Sequence, residues 1–474
     1  MKYSLTDIAQ LDPVSTCNLI SVLTVKGVCI DSRSIKPGEM FIAIRGENHD
    51  GHSYIQDVLK DKPACVMVED RWIQKNGKEM LDDRTPLIIV RNTLTALAKI
   101  AHVHRMKHKI PIIAVAGSNG KTTTKELIAS VLSAKYKVLK TQGNLNNHIG
   151  VPLTLLSLRP DHEIAVVEMG TNHFGEVRTL CEIAYPTHGI LTNIGKEHLE
   201  FFKSVQGVFK AETELTDWLS KNRANEVAFF RNVDDQFLKN LRLNSKSVSY
   251  SVSQKKCDYY GEYVSNTRSS SAILKVYPRI QKGFSVLLRI PGRHNAMNAL
   301  AAATVGYHFE VGPTLIKRKL SQFKGSGKRT EILKISGITI INDSYNANPD
   351  SMTSAIDLFG SMNVRGKRIA ILGDMRELGK TSVKEHVTIG KKIAMNSIDI
   401  LFTIGVMSRH IVKQALIRRP EITARHFTNK EALVDSLLYE LAKGDAILLK
   451  GSRGMKMEEV LHLLDLRLKQ KRSA

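Results

Sequence analysis

The sequence has few cysteines, few aromatics and no long apolar run. Its five cysteines (Cys17, Cys29, Cys65, Cys181, Cys257) are scattered, odd in number and without a CxxC pair. That excludes a disulfide framework and a zinc ribbon, and it points to a reducing cytoplasm. Thirteen prolines and 31 glycines are too few for a collagen-like or low-complexity chain. No stretch approaches the roughly 18 apolar residues of a membrane-spanning helix. Asp7 and Asp12 interrupt the segment where a signal peptide needs an unbroken apolar stretch. Acidic residues are also in deficit: 69 Lys+Arg against 46 Asp+Glu leaves +23. The basic residues are spread along the chain and densest in the final LRLKQKRSA, which reads as solvated surface charge. With aromatics at 6% and no aromatic–basic stacking motif, a dedicated nucleic-acid partner is not expected.

What is present is ordinary globular composition, 42% hydrophobic and 24% charged. The length, 474 residues, predicts two to four domains. Apolar strands alternate with amphipathic helices, the pattern of α/β folds with parallel sheets. We place domains at 1–90, 91–323 and 324–474. In the first, short strands are expected at 27–31, 40–44, 65–68 and 87–90. A helix follows over 92–107, on the spacing of Leu94, Leu97, Ala98 and Ala101. The second opens with the strand 112–116, with further strands at 137–140, 164–168 and 189–192. Residues 245–290 alternate polar and apolar and read as an antiparallel addition, closed by a helix over 295–308. The third follows a Gly/Ser/Lys linker at 323–328, with strands at 339–343, 368–372, 400–404 and 445–449. Such doubly wound sheets bind ligands at the strand C-termini.

The strongest local signal is Gly117-Ser-Asn-Gly-Lys-Thr-Thr-Thr124, between an apolar strand and a helix. Glycines let backbone N–H groups turn onto phosphates, and the helix N-terminus favours negative charge. The ATP-binding set is then Gly117, Ser118, Asn119, Gly120, Lys121, Thr122 and Thr123. Lys121 would neutralise the transferring phosphoryl group, and the Thr122 hydroxyl would ligate Mg²⁺. The loop is a GxxGKT, shorter than the common GxxxxGK[ST], because Val115 stands where the first glycine would be. Glu168 ends the buried run Ile164-Ala-Val-Val-Glu168, at the sheet edge that carries the phosphate loop, as a second magnesium ligand.

With Thr141-Gln-Gly-Asn-Leu-Asn-Asn-His148, Asn193-Ile-Gly-Lys-Glu-His198 and Gly292-Arg-His-Asn-Ala-Met-Asn298, the loop resembles the central domain of the Mur ligases. These are ATP-dependent amide-bond synthetases of peptidoglycan assembly. Asp31-Ser-Arg33 and Phe41–Asn48 resemble their UDP-sugar-binding domain. Asn342–Met352 and Leu372-Gly-Asp-Met-Arg-Glu-Leu-Gly379 resemble the branch that adds D-alanyl-D-alanine to UDP-N-acetylmuramoyl-tripeptide. The Asp-Asn-Pro-Arg signature of the branch that adds the third residue is absent. The resemblance implies three α/β domains: a small UDP-sugar domain, a central P-loop-type ATPase domain and a Rossmann-like C-terminal domain. It implies an acyl-phosphate route, ATP with two magnesium ions, cytoplasmic action and a monomer.

The resemblance also implies roles. His198 would bind a second metal. Lys210 is the candidate for a CO₂-derived carbamate, although Glu212 stands where such a lysine is often found and would supply a carboxylate directly. Asn295 would lie near adenine, Arg329 on the ATP phosphates, and Asp343 at the ribose or beside Tyr345. Tyr345, Asn346, Asn348, Asp350, Asp374 and Glu377 are the dipeptide-binding candidates. Ser32, Arg33, Arg45, Asn48, Asp50 and His52, with Asn144 and Asn147, are those for the UDP-sugar. For Asn144 and Asn147, turn chemistry is an equal alternative. The glycines around residue 326 read as a hinge for closure over ATP. Two other readings remain at this level: a folate-type ligase of the same superfamily, and a basic nucleotide-dependent nucleic-acid binder with salt-sensitive affinity.

Overall fold

The computed structural model describes residues 3–4, 15–17, 24–46, 49–77, 86–223, 227–266, 271–325 and 327–473. It divides into two compact units. One comprises Met1–Ala114, Lys137–Gly170 and Glu176–Thr187; the other comprises Val115–Tyr136, Thr171–Gly175 and His188–Ala474.

The first unit holds a five-stranded sheet in the order Ser15–Cys17, Leu87–Val90, Cys65–Glu69, Met40–Ile42, Val28–Cys29. Only the first pairing is antiparallel. The inner strands read MFI, CVMVE and LIIV and are buried throughout, as parallel strands covered on both faces must be. Phe41, Val66, Val68 and Ile89 join Ile55 and Val58 in one core. The helix Thr93–Lys107 begins where the Asn92 side chain accepts from Thr95 N–H, and it packs on Gly150–Leu156 and Glu176–Ala184. Ile164–Glu168 pairs in parallel with Val138–Lys140.

In the second unit, His188–Leu191, Val227–Asn232, Lys246–Ser251 and Tyr259–Asn266 pair successively in parallel. Ser271–Pro278 and Phe284–Leu288 then add antiparallel strands. The antiparallel expectation for 245–290 is therefore corrected for Lys246–Ser251, which has parallel neighbours on both sides. Alternation fixes the face a side chain takes and is silent on strand direction. The alanine-rich helix Arg293–His308 is buried along most of its length and packs on Lys121–Leu132.

The C-terminal part of this unit is a six-stranded sheet in the order Glu331–Ile335, Ile338–Asp343, Ala446–Lys450, Arg368–Gly373, Ile400–Ile404, Thr423–Phe427. All pairings are parallel except the first. The two edge strands were not expected, because neither carries a buried apolar run. Ile340, Ile369, Ile371, Phe402, Ile447 and Leu449 centre its core. Among the described residues, no helix is long and apolar enough to cross a membrane.

Candidate active site

The chain leaves the strand Ile112–Ala116 at Gly117, with φ +110°. A Cβ there would lie 2.5 Å from Thr192 Oγ1, so only glycine fits. Gly120, at φ +84°, caps the helix Lys121–Leu132, which starts one turn earlier than its apolar pattern. Between them the loop is laced to residues 193–195. Ser118 N donates to Asn193 O (2.8 Å), Asn119 N to Asn193 Oδ1 (3.1 Å), and Gly195 N to Ser118 Oγ (2.8 Å). Lys121 Nζ folds back onto Gly117 O (2.5 Å) and Glu197 Oε2 (3.3 Å). Thr122 and Thr123 lie in the first helical turn. Loop amides, helix N-terminus and ammonium together form an anion cradle.

Under the cradle lies Glu212, the last residue of the helix Val205–Glu212, with no exposed surface. Its Oε2 accepts from Gly117 N–H at 2.8 Å. Burial pushes its carboxyl up to about 8, with Lys121 opposing the rise and Glu197 adding to it. Lys210 sits two residues earlier, which on a helix is another face. It is exposed, and its ammonium lies 5.7 Å from the centre of the Phe174 ring.

His198 lies at φ +47°, just ahead of the short helix Leu199–Phe202. Its Nδ1 is 2.6 Å from Glu377 Oε2, and its Nε2 is 3.8 Å from Glu197 Oε2. The close approach of His198, an ion-pair contact outside hydrogen-bond angles, holds the Glu377 carboxyl below the usual range, against a smaller opposing effect of burial. Two more expected dipeptide residues reach the same place. Asn348 Nδ2 donates to Asn119 Oδ1 (2.9 Å), and Asp350 Oδ2 accepts from Lys196 N (2.7 Å). Asn348 also caps the helix Pro349–Ser361 in a reciprocal box with Ser351.

A second group forms around Tyr345. The Arg329 guanidinium lies 3.8 Å from its ring centre and that of Arg453 5.7 Å. Asp343 Oδ2 accepts from the buried Lys450 Nζ at 2.5 Å, and Asp343 Oδ1 accepts from Thr330 N. Asn346 Oδ1 accepts from Ala347 N and Arg453 N. Asp374 is buried elsewhere, accepting from Met407 N and Ser408 N at the next strand's end. Asn295 is buried and donates to Pro291 O, while Asn298 faces Gly120.

The first unit carries the expected UDP-sugar residues. His52 Nε2 accepts from Glu69 N (3.0 Å), so Nδ1 carries the proton and donates to Asp50 Oδ1 at 2.6 Å. Arg45 bridges Asp50 (3.4 Å) and Glu69 (3.6 Å), and Arg71 reaches Glu69 at 2.6 Å. Arg33 forks onto Asp31 and is exposed, and Ser32 is half-buried beside it. Asn48 lies outside the described residues. Asn147 Oδ1 accepts from Ile149 N and Gly150 N, the turn chemistry set against ligand contact above; Asn144 is exposed. Glu168 accepts from Asn146 Nδ2 at 2.9 Å.

Glu197, Lys196, Lys450 and Glu69 also belong to these groups and were not among the expected residues. Lys450 stands opposite Asp343 on neighbouring parallel strands, a register that exists only once strand order is known. For Glu197, adjacency to His198 was the available signal. Two carboxyl oxygens here, Glu197 Oε1 and Glu212 Oε1, are buried and have no hydrogen-bond donor. Such a pair needs a shared proton or a cation, and oxygen donors of this kind suit magnesium.

Family models match three stretches: "Mur ligase family, catalytic domain" at 24–105, "Mur ligase middle domain" at 115–306, and "Mur ligase, glutamate ligase domain" at 328–453. The chain is 36% identical over 440 residues to the UDP-N-acetylmuramoyl-tripeptide–D-alanyl-D-alanine ligase of Bacillus subtilis (strain 168), covering 92% of each. Among solved structures it resembles MurF from Acinetobacter baumannii, with TM-score 0.86, 27% identity, and 98% and 99% of the two chains covered. It also resembles MurF ligase from Thermotoga maritima in complex with ADP, with TM-score 0.81, 25% identity, and 94% and 99% covered.

Proposed function

The chain belongs to the Mur ligase family, and from that premise we propose how its residues divide the work. It is an ATP-dependent ligase that joins D-alanyl-D-alanine to UDP-N-acetylmuramoyl-tripeptide in peptidoglycan synthesis. Amide formation from a free carboxylate in water is uphill, so the carboxylate is first phosphorylated by ATP. The dipeptide amine then displaces phosphate through a tetrahedral intermediate. No protein nucleophile is required; the protein positions three substrates and balances negative charge.

The observation that carries this reading is the cradle Gly117–Thr123, with Lys121 held over it and Glu212 beneath it. Loop amides and Lys121 take the β- and γ-phosphates. Asn295 borders the adenine, and Asp343 orders Tyr345 or the ribose. Arg329, stacked on Tyr345, is presented to the phosphates as a planar cation. Thr122 and Glu168 would hold one magnesium, and His198 with Glu197 a second. Magnesium bound there neutralises phosphate charge and aligns the transferring group. Glu212 supplies a carboxylate where a lysine carbamate would otherwise stand; this reading is preferred to a carbamate on the outward-facing Lys210. Tyr345, Asn346 and the neighbouring third-domain residues Asn348, Asp350 and Asp374 shape the dipeptide site. Arg45, Asp50, His52, Ser32 and Arg33, with Asn48, Asn144 and Asn147, serve the UDP-sugar. The domains run 1–90, 91–323 and 324–474, and the enzyme acts as a cytoplasmic monomer.

The test is phosphate release from ATP and Mg²⁺, with each substrate omitted in turn and product mass read alongside. Release that needs both the UDP-tripeptide and D-Ala-D-Ala, with the pentapeptide formed, is expected. Release with neither, or salt-sensitive stimulation by nucleic acid, would overturn the reading.

A further inference from the structure

Glu377 was expected to meet the dipeptide, yet its carboxylate lies 2.6 Å from His198 Nδ1, an ion-pair contact whose angle falls outside hydrogen-bond geometry. Its carbonyl is engaged there too, accepting from Glu200 N at 2.9 Å in the first turn of the helix Leu199–Phe202. One residue of the C-terminal part thus grips both the histidine and the helix that follows it. Gly379 closes the same contact: a Cβ there would lie 3.2 Å from Glu200 Cα.

The backbone at both ends is unusual. Glu377 has φ +61° and His198 φ +47°, left-handed conformations that residues bearing a Cβ rarely adopt. Such conformations persist where the surroundings over-determine them. Here Met375 N donates to His386 Nε2 (3.1 Å), Arg376 N to Ser452 Oγ (2.8 Å), and Ser452 N to Asp374 O (3.0 Å). The loop that carries Glu377 is therefore fixed from behind. On the far side of the imidazole, Nε2 is turned to Glu197, which in turn holds Lys121 over the phosphate loop.

We propose that Glu377 is a positioning residue for His198. Its carboxylate faces Nδ1 and so keeps Nε2 turned to Glu197 and the phosphate loop, and it does so only while the 374–379 loop rests on the helix Leu199–Phe202. A carboxylate behind a functional histidine fixes ring orientation and tautomer, and losing such a partner typically costs about 10–100-fold in activity or metal affinity. The histidine is thereby set by arrival of the part that brings the dipeptide. This inference rests on the ligase reading for its kinetic arm alone.

The experiment compares wild type with E377A, E377Q and the double variant H198Q/E377A. Melting curves and ¹⁵N spectra of the histidine rings are recorded without ligand, the His198 signals being assigned by their loss in H198Q. E377A is expected to lower kcat about 10–100-fold with KM for D-Ala-D-Ala within about threefold. E377Q, whose amide oxygen still faces Nδ1–H, is expected to recover most of that loss. The His198 ring signals should move in E377A and stay near wild type in E377Q, and E377A should cost nothing further once His198 is gone. A raised KM for D-Ala-D-Ala with kcat intact, and E377Q as impaired as E377A, would make Glu377 an ammonium acceptor and overturn the proposal. Unchanged ring signals in E377A would overturn it as well. If the wild type forms no product, the ligase reading fails, while the ring spectra still decide this one.

Discussion

The phosphate loop and residues 195–200 both border the candidate site, yet they are held by different kinds of partner. The loop is braced from nearby strands and helices of the middle part: Asn193, Gly195, Thr192 and Glu212. Toward the C-terminal part, Asn119 Oδ1 accepts from Asn348 Nδ2. Residues 195–200 touch the loop through Gly195 and Glu197 but lean heavily on the C-terminal part. Lys196 N donates to Asp350, Lys196 Nζ reaches both oxygens of Glu385 at 2.8 and 2.9 Å, and His198 and Glu200 meet Glu377. At Gly195 a Cβ would lie 2.4 Å from Asp350 Oδ2. The phosphate loop is thus braced mainly by its neighbours in the middle part. The histidine that faces it is set by chain more than 150 residues away.

The sharpest way to probe that contrast is Lys121→Ala. It removes the cation from the phosphate loop, and turnover should fall about a thousandfold, the scale of losing an electrostatic contact to a developing charge. Titration calorimetry should find UDP-sugar binding nearly unchanged. Equal loss of both in a folded variant would mean that the cradle is not confined to ATP.

Next comes the docked half. Lys196→Met leaves Glu385, whose side chain is 5% exposed, without its ammonium. Lys196 itself is 38% exposed, so solvent screens the pair, and the expected loss is about 1–2 kcal/mol, seen as a lower melting temperature. Turnover should fall about tenfold, with nucleotide affinity kept. Loss of nucleotide affinity instead would erase the distinction between the two regions.

Glu212→Gln tests the cradle's underside through pH. The folded protein holds a proton on Glu212 up to about 8, while the unfolded chain releases it near 4.5. Between those values the folded state binds more protons, so stability falls as pH rises through the window. Glutamine cannot titrate, and melting temperature against pH should be flatter across that range in the nucleotide-free variant. Parallel curves would place the shared proton elsewhere.

The smallest effect on the fold is expected from Arg33→Ala in the other unit. Arg33 is fully exposed and touches only Asp31 among the contacts described, so the melting temperature should not move. UDP-sugar affinity should drop about tenfold if the guanidinium meets diphosphate. A shift in melting temperature without one in affinity would make the fork on Asp31 a structural brace.

Most strands were legible because buried parallel strands are written as unbroken apolar runs; Ile112–Ala116, Ile164–Glu168 and Ile400–Ile404 stand where the sequence puts them. The edge strands Glu331–Ile335 and Thr423–Phe427 were missed, because a half-exposed strand carries no such run. In the site, Gly117 and Gly120 were legible because a strand–loop–helix turn onto an anion constrains a few adjacent residues. The partnerships of Glu377 with His198, Asp343 with Lys450 and Lys196 with Glu385 were not. Each joins residues far apart in the chain, and no spacing rule reaches across 100 or more positions.

The sequence alone therefore determined the buried strands, the phosphate loop and the family, since each rests on short runs of adjacent residues. Tertiary structure alone decided which carboxylates are spent on the protein and which face the cradle. Burial turns Glu212 inward to Gly117 and leaves its helix neighbour Lys210 in solvent. Helical geometry separates those two faces, but only packing against the loop says which one is inside.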